Sequence, residues 1–249
     1  MTFLKQKKFL IFLLLCTILF FQGILKLPVM DRDEARFATA TKTMIETKDF
    51  VDIKMLEESR YKKPIGIYWS QVLANYIFGH EPYDKIWVYR LPSLFGILVS
   101  FLLIYFYLIR IYNKDIAFIS IYFLICSILT ISEMHQAKTD GLLFLTVNAA
   151  NLLIFELVRT NKVKNFLKIV FWIILAFGVL IKGPIIFIFT LIPLFVFSLL
   201  QRNNYFKQIW SWLGLLSFLV ITLPWFIAIT IKSSGVFWYE SVVFDLFNK

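Results

Sequence analysis

The chain is poor in cysteine, histidine and charge. Its 249 residues include two cysteines and two histidines, and only 17% of them are Asp, Glu, Lys or Arg. Both cysteines, Cys16 and Cys126, lie inside apolar runs, where a free cysteine behaves as a small buried hydrophobe. The sequence therefore indicates neither a disulfide framework nor a cysteine-based metal site.

Motifs for binding nucleotides are missing as well. The sequence has no glycine-rich phosphate loop, dinucleotide fingerprint or Ser/His/Asp signature. A soluble nucleotide cofactor is not expected, and a donor substrate is expected to come from the membrane. The net charge of +10 does not indicate nucleic-acid binding, because no nucleic-acid motif or separate basic domain accompanies it.

Long apolar sequence is abundant: 59% of the residues are hydrophobic, and 28 of them are phenylalanine. Apolar runs of about 20 residues have the length that a helix needs to cross about 30 Å of hydrocarbon. The sequence predicts an all-α polytopic membrane protein with about seven spanning helices, the first of them an uncleaved span and not a signal peptide. The predicted spans are 9–27, 86–109, 116–132, 141–158, 168–181, 184–200 and 209–231.

Lys and Arg gather in alternate loops, which predicts that the N-terminus is cytoplasmic. The long segment 28–85 then lies outside, and residues 1–249 form one domain in the plasma or inner membrane with an extracytoplasmic active face. The cations on the predicted inner side are Lys5, Lys7, Lys8, Arg110, Lys114, Arg159, Lys162, Lys164, Arg202 and Lys207.

The long outer segment is predicted to contain two helices. Residues 33–46 place Phe37, Ala40 and Met44 on one face, and residues 65–78 read as an aromatic helix in the membrane interface. Asp31 is predicted to cap the first helix, with Glu34 three residues later at capping-box spacing.

The acids Asp31, Asp33 and Glu34 allow two interpretations. Acids at a helix N-terminus satisfy free N–H groups and the helix dipole. Alternatively, one carboxylate accepts or orients a proton on an acceptor at the membrane surface. A helix N-terminus favours the ionised form, so orientation and electrostatic stabilisation are expected to matter more than proton abstraction.

Three further groups on the predicted outer face carry similar alternatives. Lys62 and Lys63 either extend to lipid headgroups or contact a phosphate. Lys182 either closes a tight turn with Gly183 and Pro184 or faces a bound phosphate. The segment with Glu133, His135 and Asp140 is a weak metal candidate, because no second histidine stands at ligand spacing, and Asp140 is equally a helix cap.

Several of these motifs together resemble the protein mannosyltransferase and aminoarabinose (lipid A) transferase families of GT-C fold, which take sugars from polyprenyl-phosphate donors. The combination of an Asp-Glu-Ala-Arg motif with a Lys-Pro-x-x-x-Tyr-Trp motif is the more specific part, and the likeness runs from about residue 9 to the end. The matching motifs are Asp33-Glu34-Ala35-Arg36, Lys63-Pro64-Ile65-Gly66-Ile67-Tyr68-Trp69, Arg90-Leu91-Pro92-Ser93, Thr139-Asp140 and Lys182-Gly183-Pro184.

The resemblance implies a glycosyltransferase that moves a sugar from a polyprenyl-phosphate donor to a lipid, glycan or protein acceptor. It implies that Asp33 is the catalytic carboxylate and that Asp140 is a second acid near it. The residues it implies for substrate binding are Glu34, Arg36, Lys63, which would contact the donor phosphate, and Lys182.

Two departures from the family pattern bear on these expectations. Aminoarabinose transferases usually carry Glu before the lysine of the Lys-Pro motif, where it helps to hold a divalent metal, and this chain has Lys62 there. Family members also usually continue through further helices and a soluble outer domain, so the chain is expected to be the N-terminal part of such an enzyme. The alternatives are a transporter or flippase-like protein without chemistry, disfavoured because the predicted spans hold little charge, and a truncated accessory protein.

Overall fold

The computed structural model describes residues 2–160 and 165–241, with side chains from Ile11 onward. The predicted inner cations Lys162 and Lys164 lie outside the described residues. The elements in chain order are α1 (Thr2–Lys26), α2 (Arg32–Thr47), β1 (Lys54–Met55), β2 (Glu58–Ser59), α3 (Gly66–Phe78), α4 (Ile86–Ile111), α5 (Lys114–Cys126), α6 (Ile128–Met134), α7 (Asp140–Arg159), α8 (Asn165–Lys182), α9 (Ile185–Leu200), α10 (Phe206–Ile209), α11 (Trp212–Lys232) and α12 (Val236–Trp238).

All seven predicted spans fall on helices, and the all-α membrane fold is confirmed. Among the described residues, α4, α7, α8 and α11 are long and apolar enough to cross a membrane, while α9 and the part of α1 from Ile11 are shorter apolar helices. The span predicted at 116–132 is interrupted near Ser127, where α5 and α6 meet with a bend of 67°. This pair is a fifth span if it crosses as one, and the count of seven stays a prediction.

The two helices predicted in the long outer segment are both present, as α2 and α3. In α2 the predicted apolar face is confirmed, because Phe37, Ala40 and Met44 are buried. In α3, Trp69 is exposed as an interfacial residue would be, but Tyr68 is fully buried. The short antiparallel hairpin of β1 and β2 was not among the predicted elements.

The chain divides into two compact units. Unit 1 comprises Met1–Ala38 and Leu73–Leu145, and unit 2 comprises Thr39–Val72 and Thr146–Lys249. In unit 1, α4 packs against α1, α5 and α6. Their shared core is Leu13, Ile24, Leu94, Ile97, Phe101, Tyr105, Ala117, Ile121, Ile125 and Met134.

Two glycines allow α4 and the first turn of α7 to approach closely in unit 1. A Cβ atom on Gly96 would lie 2.4 Å from the carbonyl oxygen of Gly141, and one on Gly141 would lie 2.6 Å from the Cα atom of Ser93. Ser93 also donates a hydrogen bond of 3.0 Å to the carbonyl of Lys138. The sequence Lys138 to Gly141 is therefore held directly on α4.

In unit 2, α8 packs against α11 and α9. The indole of Trp172 on α8 donates to the carbonyl of Ile209 at 3.0 Å, and a Cβ on Gly214 would meet the Trp172 ring at 2.3 Å. Trp225 of α11 donates to the carbonyl of Val51 at 3.1 Å, which fastens the loop after α2 to this helix.

We predict that Gly96→Ala destabilises the protein by about 1–3 kcal/mol, because the added methyl group forces α4 and α7 apart. Thermal unfolding in detergent micelles measures the loss. The neighbouring Phe95 has an exposed ring, so Phe95→Ala should change stability by no more than about 0.5 kcal/mol. Equal losses in the two variants would show that the close approach is unimportant.

Candidate active site

A buried ion pair between Glu34 of α2 and Arg90 of α4 organises the site in unit 1. Both side chains have no exposed surface. The Arg90 guanidinium donates to Glu34 from Nε at 2.7 Å and from Nη2 at 3.1 Å. Its remaining donors reach the carbonyls of Ile24, Leu27 and Pro28 at 2.7–2.9 Å, so that all five N–H groups are used.

Those three carbonyls lie at and just beyond the C-terminal turn of α1. The last carbonyls of a helix have no partner within the helix, and the C-terminal end of its dipole favours a cation. Arg90 satisfies both requirements. Arg90 of α4, the second predicted span, therefore places its positive charge at the C-terminal end of α1, the first predicted span.

Both carboxylate oxygens of Glu34 also accept hydrogen bonds from backbone N–H groups. Its Oε1 accepts from the Ala137 backbone N–H at 3.0 Å, and its Oε2 accepts from the Met30 N–H at 3.1 Å. The capping-box prediction is therefore wrong in its partner, since Glu34 reaches Met30 and not Asp31. The predicted substrate-binding role of Glu34 stays a prediction that this geometry disfavours, and we propose a structural role instead.

The predicted cap of α2 is present. Asp31 Oδ1 accepts a hydrogen bond of 3.0 Å from the backbone N–H of Asp33. The other oxygen of Asp31 pairs with the ammonium of Lys138, whose side chain is 17% exposed. Asp31 thus joins the N-terminus of α2 to the α6–α7 turn, which we define as residues 135–139.

The ion pair of Asp31 and Lys138 shifts the pKa values of both groups. The hydrogen bond from Lys138, together with the one from the Asp33 N–H, lowers the pKa of the Asp31 carboxyl. Burial acts to lower the pKa of Lys138, but the hydrogen bond and charge of Asp31 outweigh it, so the pKa of Lys138 is raised. Both groups are charged near neutral pH.

Asp33 differs from its neighbour Glu34 in exposure. Its side chain is 56% exposed, and its Oδ1 lies 3.3 Å from Nη1 of Arg36, one helical turn further along α2. Lys138 also lies within electrostatic range of Asp33. The arrangement presents a carboxylate at a helix N-terminus that Arg36 holds in orientation and that has solvent-accessible surface for a substrate to reach.

Asp140 occupies the first turn of α7, as predicted. It is half-buried and follows the α6–α7 turn, in which Ala137 binds Glu34 of α2 and Lys138 binds Asp31, the cap of α2. The structure therefore brings the segments of Asp33 and Asp140 together within unit 1. The catalytic roles of Asp33 and Asp140, and substrate binding by Arg36, stay predictions.

Lys63 and Lys182 both belong to unit 2 and are half-buried. Their segments approach each other at Gly66, where a Cβ atom would lie 2.8 Å from the backbone of Leu180. Lys182 is the last residue of α8, and Gly183 follows with φ of 70° and donates to the Val179 carbonyl at 2.8 Å, a helix-ending turn. The tight turn is confirmed, and the phosphate contacts stay predictions.

The described residues do not group the weak metal candidates Glu133, His135 and Asp140 into a metal site. Across residues 2–160 and 165–241, no three His, Cys, Asp or Glu side chains are grouped to hold an ion. His135 directs Nδ1 to the Ile131 carbonyl at 2.6 Å and Nε2 to the Phe20 carbonyl at 3.1 Å. Both ring nitrogens thus face backbone oxygens, and no catalytic step is assigned to a metal.

The structural role of Arg90 and the pairing of Lys138 were missed by the sequence interpretation. The signal for Arg90 was its position near the start of a predicted span, where an ionisable residue calls for a partner. Lys138 lies in the predicted outer segment of Glu133, His135 and Asp140, and the sequence interpretation assigned it no partner. Its pairing with Asp31 depends on a separation of 107 residues, which local spacing does not reveal.

The fold has close counterparts among solved structures. ArnT from Cupriavidus metallidurans matches with a TM-score of 0.87 when bound to undecaprenyl phosphate and 0.84 in the apo state. In both comparisons the identity is 18%, and the match covers 96% of this chain and 44% of the other. The chain is thus a helical membrane protein with the GT-C type of fold, as the resemblance implied.

Sequence comparison gives the family. Residues 62–227 match the model for dolichyl-phosphate-mannose-protein mannosyltransferase, and the chain belongs to this family. It is 26% identical over 212 residues to undecaprenyl phosphate-alpha-4-amino-4-deoxy-L-arabinose arabinosyl transferase 2 of Proteus mirabilis, covering 83% of this chain and 37% of that protein. The corresponding transferase of Photorhabdus laumondii is 25% identical over 238 residues, covering 90% and 42%. The chain spans less than half the length of these relatives.

We predict that Glu34→Gln destabilises the protein by about 3–5 kcal/mol, because it leaves the buried Arg90 guanidinium without a counter-charge. Thermal unfolding in detergent measures the effect. The matched control is Asp33→Asn, which removes the adjacent but exposed carboxylate and should cost about 0–1 kcal/mol. A larger loss in Asp33→Asn would contradict the division between these two acids.

We further predict that the stability difference between the protein and Asp31→Asn depends on pH. Because folding lowers the pKa of Asp31, its contribution is present above about pH 4, the ordinary value for Asp, and is lost as pH falls through the folded-state pKa. Unfolding midpoints of the two proteins should differ at pH 7 and converge at pH values below the folded-state pKa. A difference that persists there would show that Asp31 acts through packing and not through its charge.

Proposed function

We propose that the chain forms part of a membrane glycosyltransferase with a polyprenyl-phosphate sugar as donor. The observation that supports this most directly is the exposed Asp33 carboxylate, which is oriented by Arg36 and stands beside the fixed Glu34–Arg90 pair. The names of the relatives point to an undecaprenyl-phosphate carrier and a 4-amino-4-deoxy-L-arabinose sugar. The acceptor is a lipid, glycan or protein.

In the proposed reaction an acceptor hydroxyl attacks the anomeric carbon of the donor sugar. The bond between that carbon and the phosphate oxygen breaks, with inversion at carbon, and free polyprenyl phosphate leaves. Asp33 orients the hydroxyl and receives its proton as the new bond forms. Orientation and electrostatic stabilisation supply most of its contribution of about 10²–10⁴-fold. Asp140 is the second acid near this site.

Lys63 is proposed to stabilise the charge on the departing phosphate, with Lys182 on the adjoining segment as a further cation. An ammonium aimed at developing charge in a site that excludes water contributes several kcal/mol to the transition state. The proposed location is the plasma or inner membrane, with the active side extracytoplasmic. Transport without bond cleavage is the competing function, and it predicts no release of polyprenyl phosphate.

We predict that Asp33→Asn lowers sugar transfer by about 10²–10⁴-fold while membrane insertion is unchanged. Membranes containing the protein are incubated with undecaprenyl-phosphate aminoarabinose, and released carrier phosphate and glycosylated product are quantified. Lys63→Gln should lower transfer by about 10²–10³-fold.

The matched controls are Asp115→Asn and Lys85→Gln. Asp115 also stands in the first turn of a helix, and Lys85 is an exposed lysine directly before α4. Both should retain near-normal transfer. Near-normal turnover in Asp33→Asn would contradict the proposed catalytic residue, and substrate movement without carrier release in the unaltered protein would contradict the enzyme function.

A further inference from the structure

Unit 2 contains a groove of about 380 Å³ between α7 and α9. This volume lies within the range of about 300–1,000 Å³ that is usual for small-molecule sites. None of the residues proposed for catalysis lines it. The lining residues are Asn151, Ile154, Phe155, Val158, Arg159, Thr190, Pro193, Leu194 and Phe197.

The two uncharged polar side chains of the groove are directed at backbone carbonyls. Pro193 has no N–H, so the carbonyl of Phe189, four residues earlier in α9, loses its helical partner. Asn151 of α7 donates to that carbonyl at 3.1 Å. Thr190 donates to the carbonyl of Ile186 at 2.7 Å. The interior is otherwise apolar and therefore suits a hydrocarbon chain.

One end of the groove carries a cation. Arg159 is the last residue of α7, and its side chain is 43% exposed. One N–H of its guanidinium lies 3.2 Å from Glu156. Within the part of the chain that the structure describes, its other N–H groups have no hydrogen-bond partner. A guanidinium with open donors binds phosphate oxygens well.

The groove therefore has the polarity of an amphiphile, with an apolar body and a cationic end. On the predicted orientation, Arg159 lies at the cytoplasmic leaflet, where anionic lipids are attracted to basic residues and basic pockets between helices bind their headgroups. We propose that this groove binds an anionic phospholipid, with one acyl chain between α7 and α9 and the phosphate on Arg159. The groove is separate from the proposed catalytic residues, so the phospholipid proposal does not depend on the transferase function.

The test uses the purified protein in vesicles of phosphatidylcholine with a trace of spin-labelled phosphatidylglycerol or spin-labelled phosphatidylcholine. The immobilised fraction of each label is measured by electron spin resonance. We expect phosphatidylglycerol to be favoured about fivefold, the size of effect that one cation near a membrane surface produces. Arg159→Gln should abolish the preference. Arg110→Gln, which removes a cation from the last turn of α4 outside the groove, should retain it.

A second pair of variants tests the apolar body of the groove. Val158→Trp fills the groove and should remove the tightly held phosphatidylglycerol. Leu199→Trp adds the same ring to an exposed position of α9 outside the groove and should not. Unchanged thermal midpoints establish that the variants are folded.

Three results would overturn the proposal. The first is an equal loss of preference in Arg159→Gln and Arg110→Gln, which would indicate general surface charge. The second is full retention in Val158→Trp. The third is displacement of labelled phosphatidylglycerol by undecaprenyl phosphate at a lower concentration than by unlabelled phosphatidylglycerol, which would assign the groove to a carrier lipid.

Discussion

The buried pair of Glu34 and Arg90 is the constraint on which the geometry of unit 1 depends. Removing two charges from water costs several kcal/mol for each ion, and the attraction between them offsets this only when the remaining donors and acceptors are also satisfied. Here every N–H of Arg90 and both oxygens of Glu34 have partners. The pair therefore joins the end of α1, the start of α2, α4 and the α6–α7 turn in one arrangement.

The fixed position of Glu34 determines what its neighbour can do. Successive residues of an α-helix point about 100° apart, so burying Glu34 against α4 turns Asp33 away from the core. This explains how two adjacent carboxylates come to have no exposure and 56% exposure. A short acidic motif can thus supply one residue for structure and leave its neighbour available for the proposed chemistry, and Arg36 sets the orientation of the exposed one.

Local sequence predicted the features that have local causes. The apolar runs gave the helices, the spacing of Phe37, Ala40 and Met44 gave the buried face of α2, and Asp31 before a helical pattern gave its cap. The partner of Glu34 was out of reach, because Arg90 lies 56 residues away and only folding decides which acid it meets. No proline or glycine lies near the bend at Ser127, so the sequence offers no sign of it and 116–132 was predicted as a single span.

The two arginines Arg90 and Arg159 differ in how many of their N–H groups donate to partners within the protein. All five N–H groups of Arg90 donate to acceptors within unit 1, so Arg90 can bind a ligand only by losing one of these contacts. Only one N–H group of Arg159 donates to a described residue, Glu156. Arg159 can therefore bind a phosphate without losing many protein contacts. In a low-dielectric surrounding a buried polar group needs all of its hydrogen bonds satisfied. The partly exposed Arg159 is therefore the better candidate for binding a ligand. The buried Arg90 is the better candidate for the framework that holds Asp33 in place.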